Sequence, residues 1–123
     1  MILVDTSVWI DHLRGVDQRL VVLLEDQLVL AHPHVIGELA LGQLRQRQTI
    51  LNDLADLPSA NVAADDEVFR FIDENKLYGS GIGYIDAHLL AAVRLTPGAS
   101  IWTNDRRLQS AAEKLSLAAR LSH

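Results

Sequence analysis

The chain has 123 residues, 49% of them hydrophobic, and a formal net charge of −5 at pH 7. This length predicts one domain that spans residues 1–123 and buries a hydrophobic core. No cysteine is present, which excludes disulfides, thiolate metal sites and thiol catalysis, so a bound metal would need oxygen or imidazole ligands. The negative charge argues against a protein that coats nucleic acid nonspecifically, because such binding requires many lysine and arginine contacts to phosphate.

Short apolar segments alternate with segments of helical periodicity along the chain. In chain order we predict a strand at residues 2–5, helices at 7–13 and 17–26, a strand at 28–31, helices at 33–46 and 49–57, a short strand near Val62, helices at 65–77 and 82–95, a strand at 100–103, a helix at 105–115 and a short strand near Leu117. Strands that alternate with helices in this way indicate a mostly parallel sheet covered on both faces. The predicted fold is an α/β sandwich of three layers with about four to five strands.

Nothing in the sequence predicts a membrane segment. The first residues lack the basic stretch of a signal peptide, and no apolar run approaches the ~18 residues of a membrane span. We expect a soluble, cytoplasmic protein without a membrane partner.

Two aspartates follow predicted strands. Asp5 ends the first apolar run, and Asp105 comes after the strand predicted at 100–103. The carboxyl ends of parallel strands lie at one edge of a sheet, where open α/β sheets bind their ligands. We therefore expect Asp5 and Asp105 to lie close together at that edge.

A third acid, Glu38, lies within a helical segment. Its helical neighbours, three and four residues away, are His34, Val35, Leu41 and Gly42. A carboxylate on this mainly apolar stripe needs a partner, and Gly42, one turn further on, would leave room for another group to approach. The alternative is an ordinary glutamate at the edge of a helix.

The fourth acid, Asp86, lies early in the helix predicted at 82–95. An acid there is also favoured by the helix dipole, and Asp105 has a similar alternative role as the cap of the helix that follows it. The functional interpretation therefore depends on the four acids together. They favour a metal-dependent phosphodiesterase, because hard divalent cations prefer oxygen ligands. Without a cation, such clustered carboxylates should raise one another's pKa values.

Four parts of the chain resemble PIN-domain proteins and, more narrowly, VapC toxins. They are Asp5-Thr6-Ser7-Val8-Trp9, Glu38 in its apolar helix, Gly83-Tyr84-Ile85-Asp86-Ala87-His88-Leu89-Leu90-Ala91 and Thr103-Asn104-Asp105. The resemblance extends from Met1 to about Leu115, with these parts in the order and at the separations found in the family. Each part is modest alone, and together they are specific.

The resemblance implies a PIN-like three-layer fold and a metal-dependent endoribonuclease. Four carboxylates would bind one or two Mg²⁺ or Mn²⁺ ions, namely Asp5, Glu38, Asp86 and Asp105. Thr6 and Thr103 would support them. VapC toxins typically cut structured RNA of the translation machinery, either tRNA or rRNA, and form homodimers. They are neutralised by a VapB antitoxin whose tail occupies the active-site groove, and the complex acts on operator DNA through the antitoxin.

The roles of the four individual acids are only partly predicted. We expect Asp5 and Asp105 to be direct metal ligands, and Asp86 to bind the metal directly or through water. The sequence leaves open whether Glu38 or Asp86 orients the attacking water.

The arginines near these acids have two interpretations. Many family members carry a further acid two residues after the position of Asp105, whereas this chain has Arg107, which leaves a second metal ion open. Arg107 is a candidate contact for an RNA phosphate, since a guanidinium binds phosphate through two parallel hydrogen bonds. The alternative is a surface arginine, which we prefer for Arg106. For Arg45 and Arg47 a solvated helix face is favoured over a substrate path.

Other features favour structural or partner-binding roles. The five histidines do not have the HExxH spacing of a zinc site, and a structural or surface role is favoured for His34; they are His12, His32, His34, His88 and His123. The apolar run at 20–24 covers every side of a short helix, so it predicts contact with a second chain or a two-sided core. The glycine-rich segment 79–83 predicts a flexible entry to the helix of Asp86. The rival functional hypothesis is a catalytically idle PIN-like module that binds RNA or a protein partner.

Overall fold

The computed structural model describes residues 1–121, which form three strands and seven helices. In chain order the elements are β1 (Ile2–Val4), α1 (Thr6–Leu13), α2 (Arg19–Glu25), β2 (Val29–Leu30), α3 (Pro33–Ala40), α4 (Arg47–Ala55), α5 (Asp65–Glu74), α6 (Tyr84–Leu95), β3 (Ser100–Trp102) and α7 (Arg106–Lys114). Each predicted helix corresponds to one of these helices, although several are shorter than predicted.

The sheet is parallel throughout, with the strand order β2-β1-β3. β1 pairs with β3 over three residues, from Ile2 opposite Ser100 to Val4 opposite Trp102. The carboxyl ends of β1 and β3 therefore lie side by side at one edge of the sheet. The predicted α/β/α fold with a parallel sheet is confirmed.

The two short outer strands of the prediction are only single-residue bridges in residues 1–121. Ser59 pairs with Ala31 beside β2, and Ala118 pairs with Ile101 beside β3, both in parallel orientation. Next to Ser59, Pro58 has no N–H to donate to a ladder, which limits pairing at that edge. The sheet thus has three strands with one bridge at each edge, in place of the four to five strands predicted.

The helix predicted at 33–46 is wrong in its second half, since α3 ends at Ala40 and α4 begins only at Arg47. Gly42 lies in the intervening turn, and Gln46 has a left-handed backbone with φ +52°, which interrupts a right-handed helix. The Arg47 guanidinium donates to the Ala40 carbonyl at 2.9 Å and satisfies the end of α3. Arg47 is exposed, as predicted, and also caps a helix.

The core consists mainly of leucine, valine and alanine side chains on both faces of the sheet. Leu3 and Ile101, on adjacent strands, are fully buried. α6 is the most enclosed helix, because every residue from 87 to 93 is buried. This enclosure fixes the position of the first turn of α6, which carries Asp86.

The apolar run in α2 is mainly an internal contact. Leu20 is fully buried, and Leu23 and Leu24 are half-buried against the core. Val22 is 57% exposed. The two-sided core contact therefore explains most of the run, and Val22 is the residue left for contact with a second chain.

None of the helices within residues 1–121 is long and apolar enough to span a membrane. The expected cytoplasmic location stays a prediction.

Candidate functional site

Asp5 and Asp105 lie at the carboxyl edge of the sheet, one after β1 and the other after β3. The Asp5 N–H donates to the Trp102 carbonyl at 2.9 Å, which continues the pairing of the two strands past their ends. Asp5 is buried with 6% exposure, whereas Asp105 is exposed. The parallel pairing therefore brings both aspartates to the same edge, as the sequence predicted.

Hydroxyl groups hold the Asp5 carboxylate. Thr103 Oγ1 donates to Asp5 Oδ2 at 2.7 Å, and Ser7 Oγ donates to the same oxygen at 2.8 Å. The Thr103 hydroxyl in turn accepts the Asp105 N–H at 3.0 Å, so it links the two aspartates. Thr103 thus has the geometry of the supporting residue that was expected.

Ser7 and Asn104 were not predicted as site residues. The Asn104 N–H donates to Ser7 Oγ at 3.0 Å, and the Asn104 side-chain amide donates to Asp11 Oδ2 at 2.8 Å. These bonds tie α1, at Ser7 and Asp11, to the segment after β3. The available signal for Ser7 was a hydroxyl two residues after Asp5, a spacing at which serine commonly contacts a nearby group.

Glu38 is exposed on α3, and its Oε1 accepts a 2.7 Å hydrogen bond from the Thr6 hydroxyl. Thr6 therefore contacts Glu38 and connects the start of α1 to α3. Gly42 lies beyond the end of α3 and not one turn further on the same helix as predicted, but it lines a cavity together with Glu38, so there is room for a group to approach. A Cβ at Gly42 would meet only the Leu39 carbonyl at 3.5 Å, an ordinary contact.

Asp86 occupies the third position of α6, where its Oδ2 accepts the Gly83 N–H at 3.2 Å. Burial raises the pKa of Asp86, and the negative charges of Asp5, Asp105 and Glu38 raise it further, against the lowering effect of the Gly83 hydrogen bond. The fold therefore brings all four predicted acids within range of mutual repulsion, and the expected upward shift in pKa is present at Asp86.

The alternative roles proposed for two of the acids are also present. Asp105 is the N-cap of α7, since its Oδ1 accepts the Leu108 N–H at 3.0 Å. Asp86 likewise stabilises the first turn of α6. Helix capping and a role in a charged site are compatible, because each cap uses only one of the two carboxylate oxygens.

The four acids share one feature of their hydrogen bonding. Each has one oxygen held by a hydrogen bond, and within residues 1–121 the second oxygen carries none; the held oxygens are Asp5 Oδ2, Glu38 Oε1, Asp86 Oδ2 and Asp105 Oδ1. The donors are two hydroxyl-bearing partners for Asp5, one for Glu38, and backbone N–H groups for the other two. Each carboxylate is thus oriented and retains an acceptor for another partner.

The donor chemistry of this edge suits Mg²⁺ or Mn²⁺, since carboxylate and hydroxyl oxygens are hard ligands. The side chains are not arranged as a complete metal-coordination site. Among residues 1–121, no group of three or more histidine, aspartate or glutamate side chains is spaced to hold a metal ion. The oxygen ligands therefore fit the implied cation in chemical type. Each carboxylate is oriented by its own local hydrogen bonding.

Aromatic and histidine rings pack between α3, α5 and α6. His34 lies 4.6 Å from His88 and 5.0 Å from His32, measured between ring centroids. His88 Nε2 lies 2.9 Å from Asp65 Oδ1, which also accepts the Tyr84 hydroxyl at 2.7 Å. The Tyr84 bond, followed by the His88 contact, lowers the pKa of Asp65. His34 thus has a packing role, and His123 lies outside the described residues.

His32 is the fully buried N-cap of α3, and its Nδ1 accepts the His34 N–H at 3.0 Å. Burial lowers the pKa of His32 to about 4, and the charges of His34 and His88 add to this effect. The unfolded chain, in which the pKa of His32 is near 6.5, therefore binds more protons than the folded protein between these two values. The contribution of His32 to stability is present above pH 6.5 and is lost as the pH falls towards 4.

We expect His32→Asn to remove this pH dependence while keeping a side-chain acceptor at the N-cap. Between pH 7 and pH 5 the wild type should lose about 2 kcal/mol more unfolding free energy than His32→Asn does. Urea unfolding at both pH values measures the difference. His34, His88 and Asp65 are present in both proteins, so their contributions to the pH dependence cancel in the comparison. Equal losses of unfolding free energy in the two proteins would contradict a buried neutral His32.

Arg107 lies over the glycine-rich segment that precedes α6. Its Nη1 donates to the Gly81 carbonyl at 3.4 Å, and a Cβ at Gly81 would lie 2.9 Å from Arg107 Cδ. Gly81 also has φ +87°, a conformation that favours glycine. The segment predicted as a flexible entry to α6 therefore has a defined contact with α7.

A parallel sheet with Asp5 and Asp105 at its carboxyl edge, and with Glu38 and Asp86 close enough to interact electrostatically, defines an α/β domain with an acidic edge. The PIN domain family model matches residues 2–114, and the chain belongs to the PIN-domain family. It is similar to two proteins named Ribonuclease VapC32, from the Mycobacterium tuberculosis strains CDC 1551 / Oshkosh and ATCC 25618 / H37Rv. Each is 52% identical over 111 residues, which cover 90% of this chain and 90% of the relative. The resemblance to VapC-type PIN proteins is confirmed.

Proposed function

We propose that residues 1–123 act as one PIN domain with divalent-metal-dependent endoribonuclease activity of the VapC type. The observation that carries this proposal is the set of four acids, each oriented through one oxygen with the second oxygen without a hydrogen bond in residues 1–121. The raised pKa of Asp86 supports it, because the charges of Asp5, Asp105 and Glu38 add to the effect of burial. The names of the two relatives support RNA as the substrate.

In this proposal Asp5, Asp86 and Asp105 hold Mg²⁺ or Mn²⁺. A bound divalent cation supplies Lewis-acid stabilisation of the negative charge that develops on the phosphate during hydrolysis. Thr103 and Ser7 fix the orientation of the Asp5 carboxylate through two hydroxyl donors. Burial of Asp5 and Thr103 limits the access of water to this contact.

Glu38 has a different environment from the three aspartates. It is exposed and is held by Thr6 alone, so its second oxygen is accessible from solvent at the edge of the site. We propose that Glu38 orients the attacking water and accepts its proton, with Thr6 as the residue that positions Glu38.

An antitoxin of the VapB type is the proposed inhibitor, and a cavity beside Glu38 supports it. The cavity has a volume of about 520 Å³, and its lining includes Ile10, Leu13, Leu39, Leu44, Ile50, Arg14 and Arg45. A lining of apolar side chains and two arginines suits an amphipathic segment that carries acidic residues. Arg45, predicted as part of a solvated helix face, lies in the turn before α4 and lines this cavity.

Two assembly proposals follow from the resemblance to VapC proteins. The chain forms a homodimer, which combines with the antitoxin into a hetero-oligomer that contacts operator DNA only through the antitoxin. Exposed aromatic side chains are available for a protein contact, since Phe69 and Tyr84 are 57% and 44% exposed with their rings 5.7 Å apart. tRNA or rRNA is the proposed class of target.

The experiment that tests the function is cleavage of total RNA by the purified protein with Mg²⁺, with Mn²⁺ and with excess EDTA. We expect discrete fragments of tRNA or rRNA with either cation and none in EDTA, because the carboxylates alone repel the phosphate. Sequencing of the fragment ends identifies the target and the cleaved bond. Equal cleavage in EDTA would contradict metal dependence, and intact RNA under all three conditions would favour the idle binding module.

A further inference from the structure

A basic recess lies between the end of α5, the segment 79–83 and α7. Its volume is about 270 Å³, and four cationic side chains line it together with two hydroxyls. These residues are Lys76, Arg106, Arg107, Lys114, Ser80 and Ser110. No acidic residue is among the lining residues, although the whole chain carries a net charge of −5. The recess is therefore a local positive site on an acidic protein.

Helix geometry brings the cations of α7 together. Arg106, Ser110 and Lys114 are four residues apart, and Arg107 is seven residues before Lys114, so all four share one face of the helix. The only ion pairs within residues 1–121 join Arg19 to Asp17 and His88 to Asp65. The charges in the recess therefore repel one another without a compensating carboxylate, and an anion would relieve that repulsion.

Lys76 contributes a fourth cation from an unfavourable backbone conformation. It follows the end of α5 with φ +52°, where glycine has no steric cost. Three other residues that are not glycine share a positive φ, so the conformation alone does not indicate function. Lys76 matters here because its side chain lines the recess.

Two short stretches of chain connect the recess to the acidic edge, which is the carboxyl edge of the sheet with Asp5, Glu38, Asp86 and Asp105. Arg107 is two residues after Asp105 and contacts the Gly81 carbonyl at 3.4 Å. Two residues after Gly81, the Gly83 N–H donates to Asp86. An RNA strand that is bound at the four acids therefore passes close to the recess.

We propose that this recess binds a phosphate of the RNA backbone next to the one at the acidic edge. The identification of the anion as RNA rests on the proposed function, whereas the capture of an anion rests on the recess itself. Two guanidiniums, two ammonium groups and two hydroxyls match the donors that contact phosphate oxygens in protein–nucleic acid complexes. The recess holds the strand in register while the acids act on a neighbouring phosphodiester.

The test is binding of a fluorescein-labelled single-stranded RNA in EDTA, measured by anisotropy over a range of salt concentrations. We expect Arg106→Gln and Lys114→Gln each to weaken binding several-fold. Each should also reduce the slope of log K against log salt by about 0.7 for one lost phosphate contact. Arg120→Gln is the matched control, because it removes one exposed positive charge outside the recess and should leave the slope unchanged.

A pair of glycine substitutions separates binding from folding. Lys76→Gly and Ser116→Gly each relieve a left-handed residue at the end of a helix, with φ +52° and +59°, so both should raise the melting temperature. Only Lys76→Gly should weaken RNA binding. A loss of binding in a variant with higher thermal stability excludes unfolding as its cause.

The outcomes distinguish the two proposals. RNA binding that weakens in the recess variants, with no cleavage by the wild type in Mg²⁺ or Mn²⁺, would support the recess and overturn the nuclease. Cleavage by the wild type, with equal affinity and slope for all the variants, would overturn the recess and leave the nuclease. Tighter binding of poly-glutamate than of RNA at equal charge concentration, weakened by the same recess variants, would also overturn the RNA proposal in favour of an acidic protein partner.

Discussion

Asp86→Asn is expected to reduce the rate of RNA cleavage at least about 100-fold while the protein stays folded. Asparagine keeps an oxygen that can accept the Gly83 N–H, so the first turn of α6 should persist. It removes a partly buried charge that is repelled by Asp5, Asp105 and Glu38. In EDTA the melting temperature of Asp86→Asn should therefore equal or exceed that of the wild type, and the cleavage rate is measured in Mn²⁺.

The fold offers a matched control for this substitution. Glu67 occupies the third position of α5, and its Oε1 accepts the N–H of Ala64 at 2.9 Å, as Asp86 accepts the N–H of Gly83 in α6. Glu67→Gln therefore alters an equivalent capping contact outside the acidic edge, and we expect it to cut RNA at the wild-type rate. Wild-type cleavage by Asp86→Asn would show that Asp86 only caps its helix.

Binding of Mn²⁺ should stabilise the wild type by about 2.7 kcal/mol at a concentration 100 times the dissociation constant. For a chain of this size the gain corresponds to a rise of roughly 10 °C in the melting temperature. The physical reason is that the cation offsets the negative charges of the neighbouring acids, which, after burial, raise the pKa of Asp86. Thermal unfolding across a Mn²⁺ titration measures the effect without any knowledge of the RNA target.

Asp5→Asn should abolish or greatly reduce this stabilisation. The asparagine oxygen can still accept the hydroxyls of Thr103 and Ser7, so the variant removes the charge with little change in shape. Asp53→Asn, an exposed aspartate in α4, is the control and should retain the wild-type response. A saturable rise of equal size in Asp5→Asn would place the cation elsewhere, and flat curves for all three proteins would favour the idle module.

Some features of the fold follow from local sequence. Apolar strands, helical periodicity and their alternation predicted the parallel sheet and the seven helices. Failures occurred where a backbone conformation interrupts a periodic pattern. Gln46 fits a helical pattern, yet it has a left-handed backbone just before α4, and α3 has already ended at Ala40. A side chain that is tolerated in a helix does not reveal a turn that tertiary contacts impose.

The candidate site shows the same division between sequence and tertiary structure. The polarity of parallel strands is enough to place Asp5 and Asp105 at one edge, because each follows a strand. The contact between Thr6 and Glu38 joins residues 32 positions apart and depends on how α1 packs against α3. The basic recess likewise requires Lys76 to lie beside α7.

The sequence by itself therefore determined which acids are present, the elements that carry them and the family to which the chain belongs. Only the tertiary structure decided which oxygen of each carboxylate is held and which is left for another partner. It also decided which cations gather in the basic recess. The physical reason is that strand polarity and hydrophobic periodicity are local properties of the chain, whereas side-chain direction and long-range hydrogen bonds depend on how the helices pack.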